Sequence, residues 1–508
     1  MSARIPAILV LTPRTVTVEL AGVNAHHRLD EPVAFHLSSD GATVIEGALD
    51  FPVKTFENLM PGTRYRLEIQ GWNRLEFSAP FETGFVDVRD YGVSEAAADN
   101  TSGFKEAIQA APDGATLYVP QGTWRTGPLF LKSNLTFWLP EGAVITGLSD
   151  RAAYPILQAF SEDGLQQASW EGVPAKCYAS LLTAFDTSGL SIVGKGIIDG
   201  AGDRGDWWSW PKETRNGARR PRTVFANRCT GFSMAGVAVR NSPSWTIHPI
   251  DCNKLIFADL DISNPPDSPN TDGLNPDSCT DVTISGVRFS VGDDCIAIKA
   301  GKIWPDGKVP APTRNVGIRH CLMERGHGGV VIGSEMSGSV TDVTVTNCTM
   351  IDTDRGLRIK TRRGRGGQVA RIAVTDCVMD GVLTPLSINA HYFCDPDGKS
   401  DAVQNRSPAP VTAATPWVSE ISFARIEARN VHHALAYVLG LAEAPVTELR
   451  IEDVSVTYAD DAVAAVPDMA VGLPLLRHDR IVTENAIEPV IANIDWPAVD
   501  DYLERTSC

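Results

Sequence analysis

The chain has 508 residues, 43% of them hydrophobic, and a mean hydropathy of −0.07. Its net charge of −17 argues against a nucleic-acid partner, which would need a basic face. No run reaches the roughly 18 apolar residues that a membrane span requires, so no membrane role is expected.

The first residues, Met1-Ser2-Ala3-Arg4, lead into an apolar run from Ile5 to Leu11 that superficially resembles a leader peptide. Pro6 interrupts it, Thr12-Pro13-Arg14 follows without a small-residue cleavage pattern, and Thr15 to Leu20 then alternates as a strand does. The run therefore reads as mature protein. A cytoplasmic location is expected, with the ten cysteines mostly reduced.

Residues 1–85 read as a small β-sandwich. Short alternating runs (Val16/Val18/Leu20, Val33/Phe35/Leu37, Tyr65/Leu67/Ile69) are separated by turn residues. The stretch Leu59-Met60-Pro61-Gly62-Thr63-Arg64-Tyr65-Arg66-Leu67 resembles the fibronectin type III signature, in which a tyrosine closes the corner of the sandwich. Beyond a junction at 85–94, apolar residues at Phe104, Ala107, Ile108 and Ala111 predict a helix over 100–111, with Asn100 or Ser102 available as cap. One short amphipathic helix before a long β-region suits the open end of a stacked core.

A repeat then begins. Cys229, Phe232, Met234, Val237 and Val239 set a template that returns at Cys252, Leu255, Phe257, Leu260 and Ile262, and again at Cys279, Val282, Ile284, Val287 and Phe289. It continues through Val316, Val343, Ile372, Ile421 and Leu449, with first positions separated by 23, 27, 34, 27, 29, 49 and 28 residues. Each unit is two short strands with a kink, and no unit buries its apolar side alone, so neighbours must stack. The expected fold is all-β, a right-handed parallel β-helix over residues 86–460 preceded by the sandwich. Cys229, Cys252 and Cys279 share one register, and Cys321, Cys348 and Cys377 another, as small apolar thiols stacked in columns. No Cys-x-x-Cys or Cys-x-x-His pair suggests a metal site. Two stretches interrupt the repeat, Tyr154 to Cys177 and Asp395 to Trp417, and after Tyr458 it fades into an expected packed tail over 461–508.

The acidic stretch Asn270-Thr271-Asp272-Gly273, followed by Gly292-Asp293-Asp294, stands out because adjacent aspartates repel unless they bind a cation or share a proton task. An EF-hand fails, since Ser268 and Cys279 would occupy positions that need acids. Counted from the first apolar position of each unit, the offsets are 11 and 12 for Asp293 and Asp294, 11 for His327, 15 and 17 for Arg358 and Lys360, and 20 for Tyr392. With rungs about 4.8 Å apart, these residues are expected on one strip of the solenoid. Acids beside a histidine and two cations suit hydrolysis of an acidic glycoside. One carboxyl keeps its proton for the leaving oxygen, another activates water, and the cations receive the sugar's carboxylate. Arg355, Arg362, Arg363 and Arg365 extend these cations into a local basic patch suited to an anion.

Asn270-Thr271-Asp272, Gly292-Asp293-Asp294, Gly326-His327-Gly328 and Arg358-Ile359-Lys360, in that order, resemble the four signature motifs of the polygalacturonase family of glycoside hydrolases, and Tyr392 its further tyrosine. The likeness spans about residues 85–460, including Val88 to Val93 and Ile198-Asp199-Gly200. It implies an inverting hydrolase of galacturonan that needs no cofactor or metal. Asp293 then matches the general acid, Asp272 and Asp294 the pair activating water, and His327 the tuner of the acid's proton. Asn270, Arg358, Lys360 and Tyr392 would bind the uronate. The sandwich and the two interruptions, if they wall one end of the groove, suggest exo action. Other readings are a rhamnogalacturonan or xylogalacturonan hydrolase, a calcium-dependent β-helical lyase or epimerase, and a non-catalytic polysaccharide binder.

Overall fold

The computed structural model describes residues 4–20 and 22–497, so 498–508 of the expected tail lie outside the described residues. The chain forms two compact units, Met1–Asp293 with Val316–Leu322, and Asp294–Asn315 with Met323–Cys508.

The first unit opens with two antiparallel sheets. One holds Ala7–Leu11, Thr15–Glu19 and Val53–Glu57, and the other Val33–Ser39, Ala42–Leu49, Arg64–Ile69 and Leu75–Ser78. Alternating residues Val16, Val18, Leu37, Leu67 and Ile69 fill the space between them. Tyr65 closes the corner as its sequence context predicts: its hydroxyl accepts a hydrogen bond from Met60 N at 2.7 Å. The helix Thr101–Ala110 follows, burying Phe104, Ala107 and Ile108. Asn100 does not cap it through its side chain. Its amide oxygen instead accepts from Ser94 N at 2.8 Å and its Nδ2 donates to Arg125 O at 3.1 Å, tying the junction to the first coil.

The coils of the first unit lay parallel strands into three ladders. One runs Thr136–Leu139, Ser191–Gly194, Ser233–Ala235, Asn253–Ala258 and Thr280–Ser285. A second runs Ala143–Gly147, Ile197–Asp199, Ala238–Arg240, Asp261–Ser263 and Arg288–Ser290. The third runs Leu129–Leu131, Leu182–Phe185, Val224–Asn227 and Ile247–Ile250. The register is the one the repeat predicts, with Leu255 opposite Val282 and Ile262 opposite Phe289. Cys229, Cys252 and Cys279 are buried in one column, Cys252 Sγ lying 3.2 Å from Cys229 N. The interruption after Tyr154 forms two small hairpins, Ile156–Leu157 with Cys177–Tyr178 and Ser169–Trp170 with Val173–Pro174.

The sandwich packs on the bends between the first two ladders. Thr55 N donates to Asp259 Oδ2 at 2.8 Å, and Arg319 reaches Glu19 through Nε at 2.5 Å and Nη2 at 2.6 Å. A β-carbon on Gly286 would lie 2.5 Å from Val53. Val10 adds an apolar contact with Trp138, Val193 and Ala235 of the first ladder.

In the second unit the two outer strands of three successive coils fuse into long ones, Gln368–Asp380, Trp417–Val431 and Thr447–Tyr458. Val340–Thr346, Gln368–Asp380, Trp417–Val431, Thr447–Tyr458 and Val490–Asp495 form one parallel ladder. Val343, Ile372, Ile421 and Leu449 stack in register, as do Met350, Met379, Ala428 and Val456. The facing ladder runs Asp294–Ile298, Gly328–Gly333, Arg355–Lys360, Thr384–Asn389, Ala434–Leu439 and Asp479–Glu484. Strands Asp479–Glu484 and Val490–Asp495 continue the stacking beyond the last repeat visible in the sequence. The fold is a right-handed parallel β-helix preceded by a small β-sandwich. Among the described residues no helix is long and apolar enough to cross a membrane.

Candidate active site

In the first unit the turn Pro269-Asn270-Thr271-Asp272 forms the rung after Ile247, with Thr246 N donating to Asp272 O at 2.7 Å. Asn270 adopts left-handed backbone, φ 55°, a region asparagine tolerates better than most residues. Its Nδ2 lies 3.5 Å from Asp293 Oδ2, the long limit of a hydrogen bond, and its Oδ1 accepts from Arg220 Nη2 at 2.7 Å. Arg220 is completely buried and forms no ion pair among the described residues. Its guanidinium is held instead by the carbonyls of Pro243 at 2.7 Å, Pro269 at 2.9 Å and Pro211 at 3.2 Å. Burial, then repulsion from Arg222, pulls its pKa down to about 10, so it remains a cation at neutral pH.

Gly292 is there because nothing else fits. A β-carbon at that position would lie 2.4 Å from Ser268 O and 2.7 Å from Pro265 O. The close approach lets Gly292 N donate to Thr271 Oγ1 at 3.3 Å, which ties the Asp293 loop to the Asp272 loop. Asp293 is partly open to solvent, whereas Asp272 is only 3% exposed and accepts from Asn275 Nδ2 at 2.7 Å.

In the second unit Asp294 begins a strand that pairs through it with Gly328, so His327 immediately precedes the cross-strand partner of Asp294. His327 itself is exposed. Ile298, Ile332, Ile359 and Ile388 share one inward row, and strand alternation turns Arg358 and Lys360 to the opposite face. Lys360 Nζ lies 2.7 Å from Asp294 Oδ2, with side chains 7% and 2% exposed. Burial opposes the lysine's charge, but the carboxylate outweighs it and holds the ammonium above the ordinary lysine range. Arg358 Nη2 donates to Asp468 Oδ1 at 2.6 Å, and Ser387 Oγ to Asp468 Oδ2 at 2.6 Å. Burial opposes the charge on Asp468, yet Arg358 and then Arg355 hold it well below the usual carboxylate range. The ring of Tyr392 lies 5.4 Å from both the Arg358 guanidinium and the Lys360 ammonium. Burial pushes its phenol up to about 12, keeping it a hydrogen-bond donor.

The second unit thus gathers Asp294, Arg358, Lys360 and Tyr392, with His327 beside the start of the strand, while the first gathers Asn270 and Asp293. Of the three acids only Asp293 is accessible. Asp272 and Asp294 are closed off because each is compensated, one by an amide and one by an ammonium. Five of the six cations in the basic patch expected at 355–365 already have acidic partners. Arg358 and Lys360 are paired as above, Arg362 with Asp395 and Asp397, Arg363 with Glu443, and Arg365 with Asp395. Arg355 alone among these cations forms no ion pair among the described residues, donating to Asp354 O at 2.9 Å. Trp207 and Trp210 are fully buried against Tyr154 and Tyr178, so their role is packing; Trp208 is partly exposed. Two residues that sequence reasoning passes over, Arg220 and Asp468, prove central to these clusters.

A parallel β-helix that holds acids and an imidazole at the ends of its rungs and buried cations on its strands suits a polysaccharide-cleaving glycosidase. Residues 162–472 match the family model described as glycosyl hydrolases family 28. The chain is 30% identical over 380 residues to a probable polygalacturonase of Vitis vinifera, covering 73% of this chain and 74% of that one. It is 29% identical over 304 residues to an endo-polygalacturonase of Pectobacterium carotovorum subsp. carotovorum, covering 58% and 72%. Among solved structures it resembles an exopolygalacturonase from Thermotoga maritima, with TM-score 0.62 and 27% identity over 81% of this chain and 92% of that one. The chain belongs to glycosyl hydrolase family 28 and is a glycoside hydrolase.

Proposed function

We propose that this enzyme hydrolyses α-1,4-galacturonosyl linkages of polygalacturonate and oligogalacturonides, with inversion at the anomeric carbon and from chain ends. The observation that carries the substrate class is the charge balance around Tyr392. Arg358 and Lys360 are ion-paired with Asp468 and Asp294, and the buried Arg355, attracted by Asp468 and Asp354 but ion-paired with neither, is the cation left to meet a uronate carboxylate. A neutral sugar would leave that cation buried without a partner.

Asp293, the accessible acid, donates its proton to the leaving oxygen. Asp272 and Asp294 direct the attacking water, and the ion pair with Lys360 presents Asp294 as the carboxylate a base must be. His327 tunes the proton on the acid, and Asn270 orients Asp293. Arg358, Lys360 and Tyr392 hold the uronate. End-wise action is supported by the likeness to the Thermotoga maritima exopolygalacturonase and by the two interruptions of the repeat, one in each unit. Trp170 of the first packs 5.6 Å from the Arg220 guanidinium, and Asp395 of the second binds Lys302 at 2.8 Å.

The test is a time course on defined oligogalacturonides, with the anomer of the first product read by proton NMR. The expected result is the β-anomer of a short end-derived product, lost in Asp293→Asn. Unsaturated products abolished by chelation would instead indicate a lyase, and early mid-length products an endo enzyme.

A further inference from the structure

The outward face of the ladder that carries Arg358 does not stay open along the second unit. Arg358, Ser387, Tyr437 and Val482 occupy one outward row on successive strands. The loop Val466–Leu475 lies over this row beyond Arg358. Its ends are bridged, Ala465 N donating to Leu476 O at 3.2 Å and Leu476 N to Ala465 O at 2.9 Å. Its first half is pinned by the fully buried Asp468, which takes hydrogen bonds from Arg358 and Ser387, and by Met469 O, which accepts from Asn389 Nδ2 and Phe393 N, each at 3.2 Å. Its second half seats Ala470 and Leu473 against Tyr437 and Leu439.

A polysaccharide lying across the rungs has therefore no surface to follow past the Arg358 rung, because the protein's own backbone occupies it. The loop also brings a carboxylate to Arg358, the same group a uronate would bring. We infer that the Val466–Leu475 loop is the stop of the substrate-binding face: it ends the groove at the Arg358 rung, so that only a chain end is accommodated, and through Asp468 it positions Arg358 for the terminal uronate. The inference rests on the end-wise reading above and names the element that enforces it.

Because Ala465 and Leu476 are already bridged, replacing Val466–Leu475 by Asn-Gly closes the same turn without crossing the ladder. A second variant, Asp468→Asn with Ser387→Ala, keeps every apolar contact of the loop and weakens only its Asp468 anchor, so a decision remains possible if the shortened chain does not fold. Both are compared with the wild type on octagalacturonide by product length at early times, and on polygalacturonate by viscosity. The shortened variant is expected to release mid-length products and to lower viscosity at least tenfold faster per bond cleaved. The pin variant is expected to show the same mid-length products at about a tenth of that rate. If the wild type cleaves only from ends and the folded variants still do, the loop is not the stop, although the end-wise reading stands. If the wild type itself cleaves mid-chain, the end-wise reading falls and this inference with it.

Discussion

The Lys360 ammonium sits 2.7 Å from a carboxylate oxygen of Asp294, and both side chains are nearly closed to solvent. Neither charge is tolerable there alone, so the pair acts as one unit. Lys360→Met should therefore lower kcat/KM on the order of 10²-fold, with Asp294→Asn at least as damaging. The double variant should be no worse than the worse single one, because each residue's contribution requires the other. Steady-state kinetics on trigalacturonate, with circular dichroism to confirm folding, checks this; multiplicative losses would show that the two act independently.

Arg220 has a different task from the other buried cations. Four oxygens from three loops hold its fork, and the only side chain among them is Asn270, whose amide faces Asp293. A lysine keeps the charge but offers no fork to span those acceptors. Arg220→Lys is expected to reduce kcat about tenfold with a smaller change in KM, and Asn270→Ala to do much the same, roughly 1–2 kcal/mol for a charge-assisted bond. Combined, the two should add little to either alone. An Arg220→Lys effect confined to thermal stability would make the residue merely structural.

The solenoid was legible in the sequence because each rung repeats the same inward positions; Val343, Ile372, Ile421 and Leu449 are recognisable as one column before any coordinates. The final rung was not. Strands Asp479–Glu484 and Val490–Asp495 are largely exposed, and among the described residues they stack on one side only, so fewer apolar inward positions mark them. The motif residues were legible through shared offsets, but their partners were not. Arg358 meets Asp468 across 110 positions and Arg220 meets Asn270 across 50, and no local pattern marks either pairing. The patch at 355–365 looked like a free anion site only because the acids that neutralise it come from Asp294, Asp395, Asp397, Glu443 and Asp468.

Gly292 offers a purely steric prediction. Its missing side chain admits the Pro265–Ser268 loop, and the oxygens 2.4 and 2.7 Å from an ideal β-carbon leave no room for a methyl. Gly292→Ala must push that loop away, breaking the Thr271 link that couples Asp293 to the Asp272 turn. A loss of about 1–3 kcal/mol in unfolding free energy is expected from overpacking. Activity should fall at least tenfold as the acids shift. Urea denaturation alongside kinetics measures both, and a wild-type stability with full activity would contradict the packing argument.

The sandwich is held to the coils by Glu19, whose carboxylate takes two hydrogen bonds from Arg319 and lies 3.5 Å from His320 Nε2. Burial alone would raise its pKa, but His320 and Arg319 together bring it from 4.5 down to about 2. A depressed acid stabilises the folded form above its unfolded pKa and loses that contribution as pH falls toward the folded one. The docking should therefore be at full strength above pH 4.5 and fade between 4.5 and about 2. The shift corresponds to about 3 kcal/mol at neutral pH. Glu19→Gln should cost roughly that much at pH 7, and its deficit relative to wild type should shrink toward zero near pH 2. Urea unfolding of both proteins across this range supplies the measurement. A deficit that does not change with pH would mean that Glu19 acts through packing rather than charge.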